Sequence, residues 1–183
     1  MSDFSVMGID PSLTATGIAV IKSDATAMGW TRGVSVKKKA SNLTRLKRLL
    51  FLASSIIEIV DEHNVRYIGV EQATFGYSVR AMELRELLIV LNTQLFLKYG
   101  FMAVNIPFAT IRKYFLGDGK TGRTKKDDIV AHVREEFGYT LSSTDEYEAL
   151  AVARIMYENR KFDRSSFCSY KREVHGRIDK VLA

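Results

Sequence analysis

The stretch Phe4-Ser5-Val6-Met7-Gly8-Ile9-Asp10-Pro11 sets the fold. Five of its first six residues are apolar or glycine, and the run stops at an acid followed by proline. A short, mainly apolar run bounded by a turn signal predicts a buried strand. The β-branched and apolar segment 14–22 (TATGIAVIK) predicts a second strand, and 27–36 (AMGWTRGVSV) a third. The connections are short, so the three form an antiparallel meander.

Downstream the period changes. Leu43, Leu46, Leu49, Leu50, Ala53, Ile56, Ile57 and Val60 recur at helical spacing and predict a helix over 42–63. Residues 66–71 (RYIGVE) predict a fourth strand and 101–106 (FMAVNI) a fifth, with a helix over 79–99 between them. That helix carries Leu84, Leu88, Leu91 and Leu95 on one stripe, with Leu87, Val90 and Phe96 off it. Apolar residues on more than one side predict that it buries more than a core face. Pro107 opens a short helix to Leu116, and helices over 125–137 and 144–159 follow. The order implies an α/β fold: a five-stranded mixed sheet with helices on both faces. Residues 1–159 form one domain, and 160–183 a polar, basic C-terminal extension to which no element is assigned.

Composition removes several functions. The chain has 183 residues, 46% hydrophobic and 26% charged, an ordinary globular balance. A single cysteine, Cys168, and three scattered histidines leave no disulfide framework and no zinc spacing. No apolar run approaches the ~18 residues of a membrane span, and the acidic start MSDFSVMGID is too short for a signal peptide. A soluble protein of a reducing compartment, the cytoplasm, is expected. Net charge is +6, but it is unevenly placed: 37–48 carries +6, 112–126 carries +5 and the remainder −5. Such patches are the footprint of phosphate-backbone binding. The loop 117–126 is the better candidate, since its glycines admit close backbone approach; Lys120, Arg123, Lys125 and Lys126 are its basic residues. Gly117–Gly122 matches G-x-G-x-x-G but follows a helix rather than a strand, so no nucleotide cofactor is expected.

Four acids remain. Asp10 and Glu71 end the first and fourth strands, and ligands bind at strand ends in such sheets. Parallel pairing of those strands would bring the two together. Asp145 and Glu148 lie at i and i+3 on the last core helix, hence on one face. Ser143-Thr144-Asp145-Glu146 reads as a capping box that places Asp145 in the first turn. Each acid alone also has a plain structural reading, as a turn residue, a solvated strand end or a dipole partner. Four carboxylates from three elements suit hard divalent cations. Two such ions roughly 4 Å apart can hydrolyse a phosphodiester without cysteine, histidine or a nucleotide loop.

Three segments, VMGIDPSLTATGIAVI (6–21), YIGVEQATFGY (67–77) and STDEYEALAVARI (143–155), resemble the motifs of RuvC Holliday junction resolvases, of the ribonuclease H-like nuclease superfamily. The resemblance spans residue 4 to about residue 158. It implies a homodimer that cleaves four-way DNA junctions symmetrically with Mg²⁺, two ions per site, with Mn²⁺ as a substitute. The implied ligands are Asp10, Glu71, Asp145 and Glu148; the last is usually Asp in bacterial members. Basic residues near the family's site fall on Arg112 and Lys126. The family's junction-inserting aromatic has Thr74 at its strict position and Phe75 beside it, making Phe75 the candidate. The same resemblance puts the dimer contact on helix 79–99. Divergence from the bacterial pattern suggests a phage or other mobile-element version working in a host cytoplasm.

Two other functions compete. A ribonuclease H acting on RNA–DNA hybrids would carry an acid on the first long helix, which here has only Glu58, Asp61 and Glu62 near its C-terminal end. A branched-DNA-binding module without turnover would not need all four acids. A sugar-kinase or actin-like ATPase shares the Gly-Ile-Asp opening but requires two such domains.

Overall fold

The computed structural model describes residues 4–37, 40–72, 79–117, 126–161 and 169–182. Strands β1 (Ser5–Asp10), β2 (Thr16–Lys22), β3 (Ala27–Arg32), β4 (Val65–Glu71) and β5 (Val104–Ile106) form one sheet in the order β3-β2-β1-β4-β5. The β1–β2 and β2–β3 pairs are antiparallel, and the β1–β4 and β4–β5 pairs are parallel. Six helices accompany it among the described residues: α1 (Asn42–Glu62), α2 (Val79–Tyr99), α3 (Phe108–Leu116), α4 (Lys126–Phe137), α5 (Thr144–Lys161) and α6 (Ser169–Leu182).

Both faces of the sheet are covered, so the central strands are apolar without alternation. Met7, Ile9, Ile18, Val20, Ile68 and Val70 pack under α1 and α2 with Leu52, Ile56, Leu87 and Leu91. Val6, Ala19 and Ile21 face the other way, against α3, α4, α5 and α6. Helix α5 is the central element of that second layer. Its Ala149, Ala151 and Ala153 are buried, and Gly8 of β1 leaves room beneath it: a Cβ there would overlap the Ala149 carbonyl and the Ala153 amide.

The structure departs from the sequence expectations at several points. β3 ends at Arg32 rather than 36, and β5 begins at Val104 rather than 101. Residue 103 instead donates its backbone N–H to Asn92 Oδ1 at 2.9 Å, tying the approach to α2. The buried line of α2 is Ala81, Leu87, Leu91 and Leu95, so Leu87 belongs to the core, whereas Leu84 and Leu88 are only half-buried. Leucines at 84, 87, 88, 91 and 95 satisfy two adjoining helical rows, and contact with α1 and the sheet selects between them. Past α5 the chain forms α6, whose Val174 and Ile178 are buried in the α3–α5 core.

Candidate metal and phosphate site

Parallel pairing runs through Ile9–Val70, so Asp10 and Glu71 are the next residues on neighbouring strands. Both are buried. The first turns of α5 cross the same end of the sheet and carry Asp145 and Glu148. Ser143 accepts from the Glu146 amide at 3.2 Å and so caps the helix as expected. The return bond differs from the standard box: Glu146 Oε2 accepts from the Ser142 amide, at 2.9 Å.

Asp10, Asp145 and Glu148 each offer a carboxylate oxygen within 4.8 Å of the others. Glu71 lies outside that triad and joins it through Lys126. The Lys126 ammonium, at the start of α4, donates to Glu148 at 2.7 Å and to Asp10 at 3.1 Å, and lies 3.2 Å from Glu71. These groups line a cavity of about 400 Å³ with Ser12, Gln72 and Arg80.

The electrostatics follow from crowding. Burial pushes the Asp10 carboxyl up to about 8, helped by a hydrogen bond with Glu148 and the charge of Glu71, against the pull of Lys126. Burial also raises Glu71, partly offset by Lys126, and raises Asp145, with the Glu148 charge adding to it. For Lys126 burial works downward, but the carboxylates of Asp10, Glu71 and Glu148 outweigh it and the ammonium is held well above its ordinary value. Negative charge in the cavity exceeds what one ammonium neutralises. The donors are all carboxylate oxygens, the set preferred by Mg²⁺, Ca²⁺ and Mn²⁺ rather than by softer metals. The binding of an internal cation by three of the four acids shows that the cavity fits positive charge.

The structure thus brings Asp10, Glu71, Asp145, Glu148 and Lys126 together. Arg112 is half-buried on α3; the neighbouring Phe108 and Ile111 border the acids, but Arg112 does not line the cavity. Phe75, Lys120, Arg123 and Lys125 lie outside the described residues. Two features escaped the sequence reading, one lining the cavity and one away from it. Arg80 sits in the first turn of α2, where a cation is unfavourable to the helix dipole; that misplacement was its one signal. Glu146, read only as part of the capping box, is buried and bonded across to β3.

Three antiparallel strands continued by two parallel ones, with acids at the ends of β1 and β4 and on a helix laid across them, define a ribonuclease H-like fold. Thermus thermophilus RuvC shares it: in the structure of that protein in complex with Holliday junction substrate, the TM-score is 0.65 at 16% identity, covering 86% of this chain and 95% of that one. A second Thermus thermophilus RuvC structure gives 0.65 at 18% identity, covering 86% and 96%. The family model for crossover junction endodeoxyribonuclease RuvC matches residues 6–155, and the chain belongs to that family. It is 32% identical over 77 residues to the crossover junction endodeoxyribonuclease RuvC of Streptomyces griseus, and 36% identical over 67 residues to that of Paenarthrobacter aurescens. These matches cover 42% and 37% of this chain and span 38% and 35% of the lengths of those relatives.

Proposed function

We propose that this protein is a divalent-metal-dependent endonuclease that resolves four-way DNA junctions by phosphodiester hydrolysis. The observation that carries the reading is the convergence of Asp10, Asp145 and Glu148 within 4.8 Å, with Glu71 and Lys126 at the same strand ends. Membership of the RuvC family and a fold shared with a junction-bound RuvC support the choice of substrate. In this reading Asp10, Glu71, Asp145 and Glu148 hold Mg²⁺, two ions per site, with Mn²⁺ as a substitute. Bound metal would supply an activated water and stabilise the leaving oxygen of the phosphodiester.

The chain's own groups do the rest. The carboxylates, buried at Asp10 and Glu71 and half-buried at Asp145 and Glu148, fix the donor oxygens before substrate arrives, which limits reorganisation during reaction. Lys126 holds the acids together and places a fixed positive charge beside the position of the scissile phosphate. Arg80 adds a second cation on the α2 side of the cavity. Arg112, Lys120, Arg123 and Lys125 contact backbone phosphates further out, and Phe75 enters the junction. No helix among the described residues is long and apolar enough to cross a membrane, and a cytoplasmic location suits a DNA-acting enzyme.

Two symmetric cuts need two sites related by a twofold axis, and one chain has one acidic cavity. The surface for self-association is the α1–α2 face. Val79, Met82 and Ile89 of α2 are 60%, 53% and 65% exposed and share a groove with Leu46 of α1; Leu43 and Leu50 of α1 are exposed too. Leu91, on the expected stripe, is 1% exposed and belongs to the core, so Ile89→Arg is the variant that tests the face. It should give folded monomers that no longer make paired cuts, read by sedimentation at micromolar concentration. The site is tested by Asp10→Asn, Glu71→Gln and Asp145→Asn. Each should lower cleavage by about 10²–10³-fold or more while junction binding stays nearly intact. Substantial nicking by any of them would remove that acid from the site.

A further inference from the structure

We infer that Glu146, with Thr31 and Ser143, is a positioning device that holds the first turn of α5 against β3 and so keeps Asp145 and Glu148 in place for a divalent cation. The inference rests on the metal-site reading above and names residues that touch neither metal nor DNA in it.

Glu146 follows a proposed ligand yet points away from the acids. Its residue is 5% exposed. One carboxylate oxygen accepts from the Ser142 amide at 2.9 Å; the other accepts from the Thr31 hydroxyl at 3.2 Å. Thr31 and Ser143 hydroxyls lie 2.9 Å apart, and Ser143 caps the Glu146 amide. The carboxylate therefore joins the loop before α5, the cap of α5 and strand β3. An ordinary capping box stabilises a helix end without fixing it to anything else. This one is fixed to the sheet.

The sheet is shaped to receive it. Gly17 of β2 lies directly under the first turn: a Cβ there would overlap the Asp145 carbonyl. Gly29 of β3 lies under Glu146, and a Cβ there would stand 2.8 Å from Oε2 and 3.1 Å from the Glu146 Cβ. Helix and sheet thus meet backbone to backbone where the ligand-bearing turn begins. A small shift of that turn would carry Asp145 and Glu148 away from Asp10, which is anchored on the sheet. Carboxylate ligands depend on such supporting bonds, and their loss commonly costs about 10- to 100-fold in metal affinity.

Mn²⁺ binding to the metal-free protein, without DNA, tests this. Thr31→Val removes one hydroxyl and leaves the cap of α5 in place. It should weaken Mn²⁺ binding about tenfold, with little change in the melting temperature of the metal-free protein. Glu146→Ala should weaken binding at least as much. Glu146→Gln should restore most of it, since the amide can accept from Ser142 and donate to Thr31. A merely structural cap gives another pattern: melting falls in Glu146→Ala while Mn²⁺ binds Thr31→Val and Glu146→Ala as tightly as wild type. That pattern overturns the inference alone. A wild-type protein that binds no Mn²⁺ overturns the metal-site reading, and the inference with it.

Discussion

Helix α5 holds a buried or half-buried glutamate near each end, and the surroundings of the two are built to different rules. At its N-terminal end, Glu148 meets Asp10, Glu71 and Asp145 around the single ammonium of Lys126. At its C-terminal end, Glu158 stands alone among donors. Arg154 Nε bonds it at 2.8 Å, the Tyr114 hydroxyl donates to it, and Lys171 lies 3.6 Å away. Tyr114 in turn lies 3.1 Å from His175 Nε2, so the cluster joins α3, α5 and α6. Both glutamates sit on one helix of one core. The first gathers four acids, Asp10 and Glu71 of them buried, beside a cavity of about 400 Å³; the second sets Arg154 and Lys171 against one acid that is 4% exposed. Burying like charges together destabilises a fold; here Lys126 and the proton held by Asp10 reduce that cost, and a further cation would reduce it more. The second is a fastening for the C-terminal helix.

The same substitution at each end separates the two roles most sharply. Glu148→Gln should lower cleavage by about 10²–10³-fold and leave the metal-free melting temperature unchanged or raised. Glu158→Gln should do the reverse. Removing one partner of a buried ion pair costs about 3–5 kcal/mol, so melting should fall by several degrees while cleavage at permissive temperature is retained. Equal loss of activity in both variants would erase the distinction.

Lys126 gives the next largest effect. Lys126→Met removes the ammonium that bridges Asp10, Glu71 and Glu148. The metal-free protein should melt lower than wild type, and Mg²⁺ should raise its melting temperature by more than it raises that of wild type. If the ammonium also meets the scissile phosphate, the rate at saturating junction falls. A normal rate with weaker binding would make it a docking contact only.

The smallest effect is the pH dependence of Asp10. Its pKa is about 8 in the fold, against 3.8 for an ordinary carboxyl. Between those values the native state keeps a proton that the unfolded chain has lost, so this group costs stability progressively from about pH 4 to about pH 8 and no more above it. Asp10→Asn removes that dependence. In metal-free buffer its melting temperature relative to wild type should rise from pH 5 to pH 8 and then level off. A constant difference across that range would mean Asp10 is not a raised acid.

Much of the acid end was legible in the sequence because each contributing element has its own signal. An apolar run that stops at Asp10, a second that stops at Glu71, and a capped apolar helix with acids at i and i+3 place three strand or helix ends at once. Parallel β1–β4 pairing then supplies the contact. The other features had no such signal. The cluster around Glu158 depends on α6, whose buried apolar residues Val174 and Ile178 are too few among charged neighbours to announce a packed helix. On α2 the leucines satisfy two rows equally, and only packing shows Leu87 inside and Ile89 outside. Glu146 read only as a capping-box residue because its link to Thr31 spans 115 positions, which no local pattern encodes.

The acid end of α5 is proposed to be a hydrolytic site for branched DNA. The most direct test of that proposal is cleavage of matched four-way junction, flap, RNA–DNA hybrid and linear duplex substrates by the purified chain with Mg²⁺. Paired cuts are expected in the four-way junction, abolished by chelation and by Asp10→Asn, with the linear duplex and hybrid left largely intact. Preferential cleavage of the hybrid, or tight junction binding with no cleavage in Mg²⁺ or Mn²⁺, would contradict it.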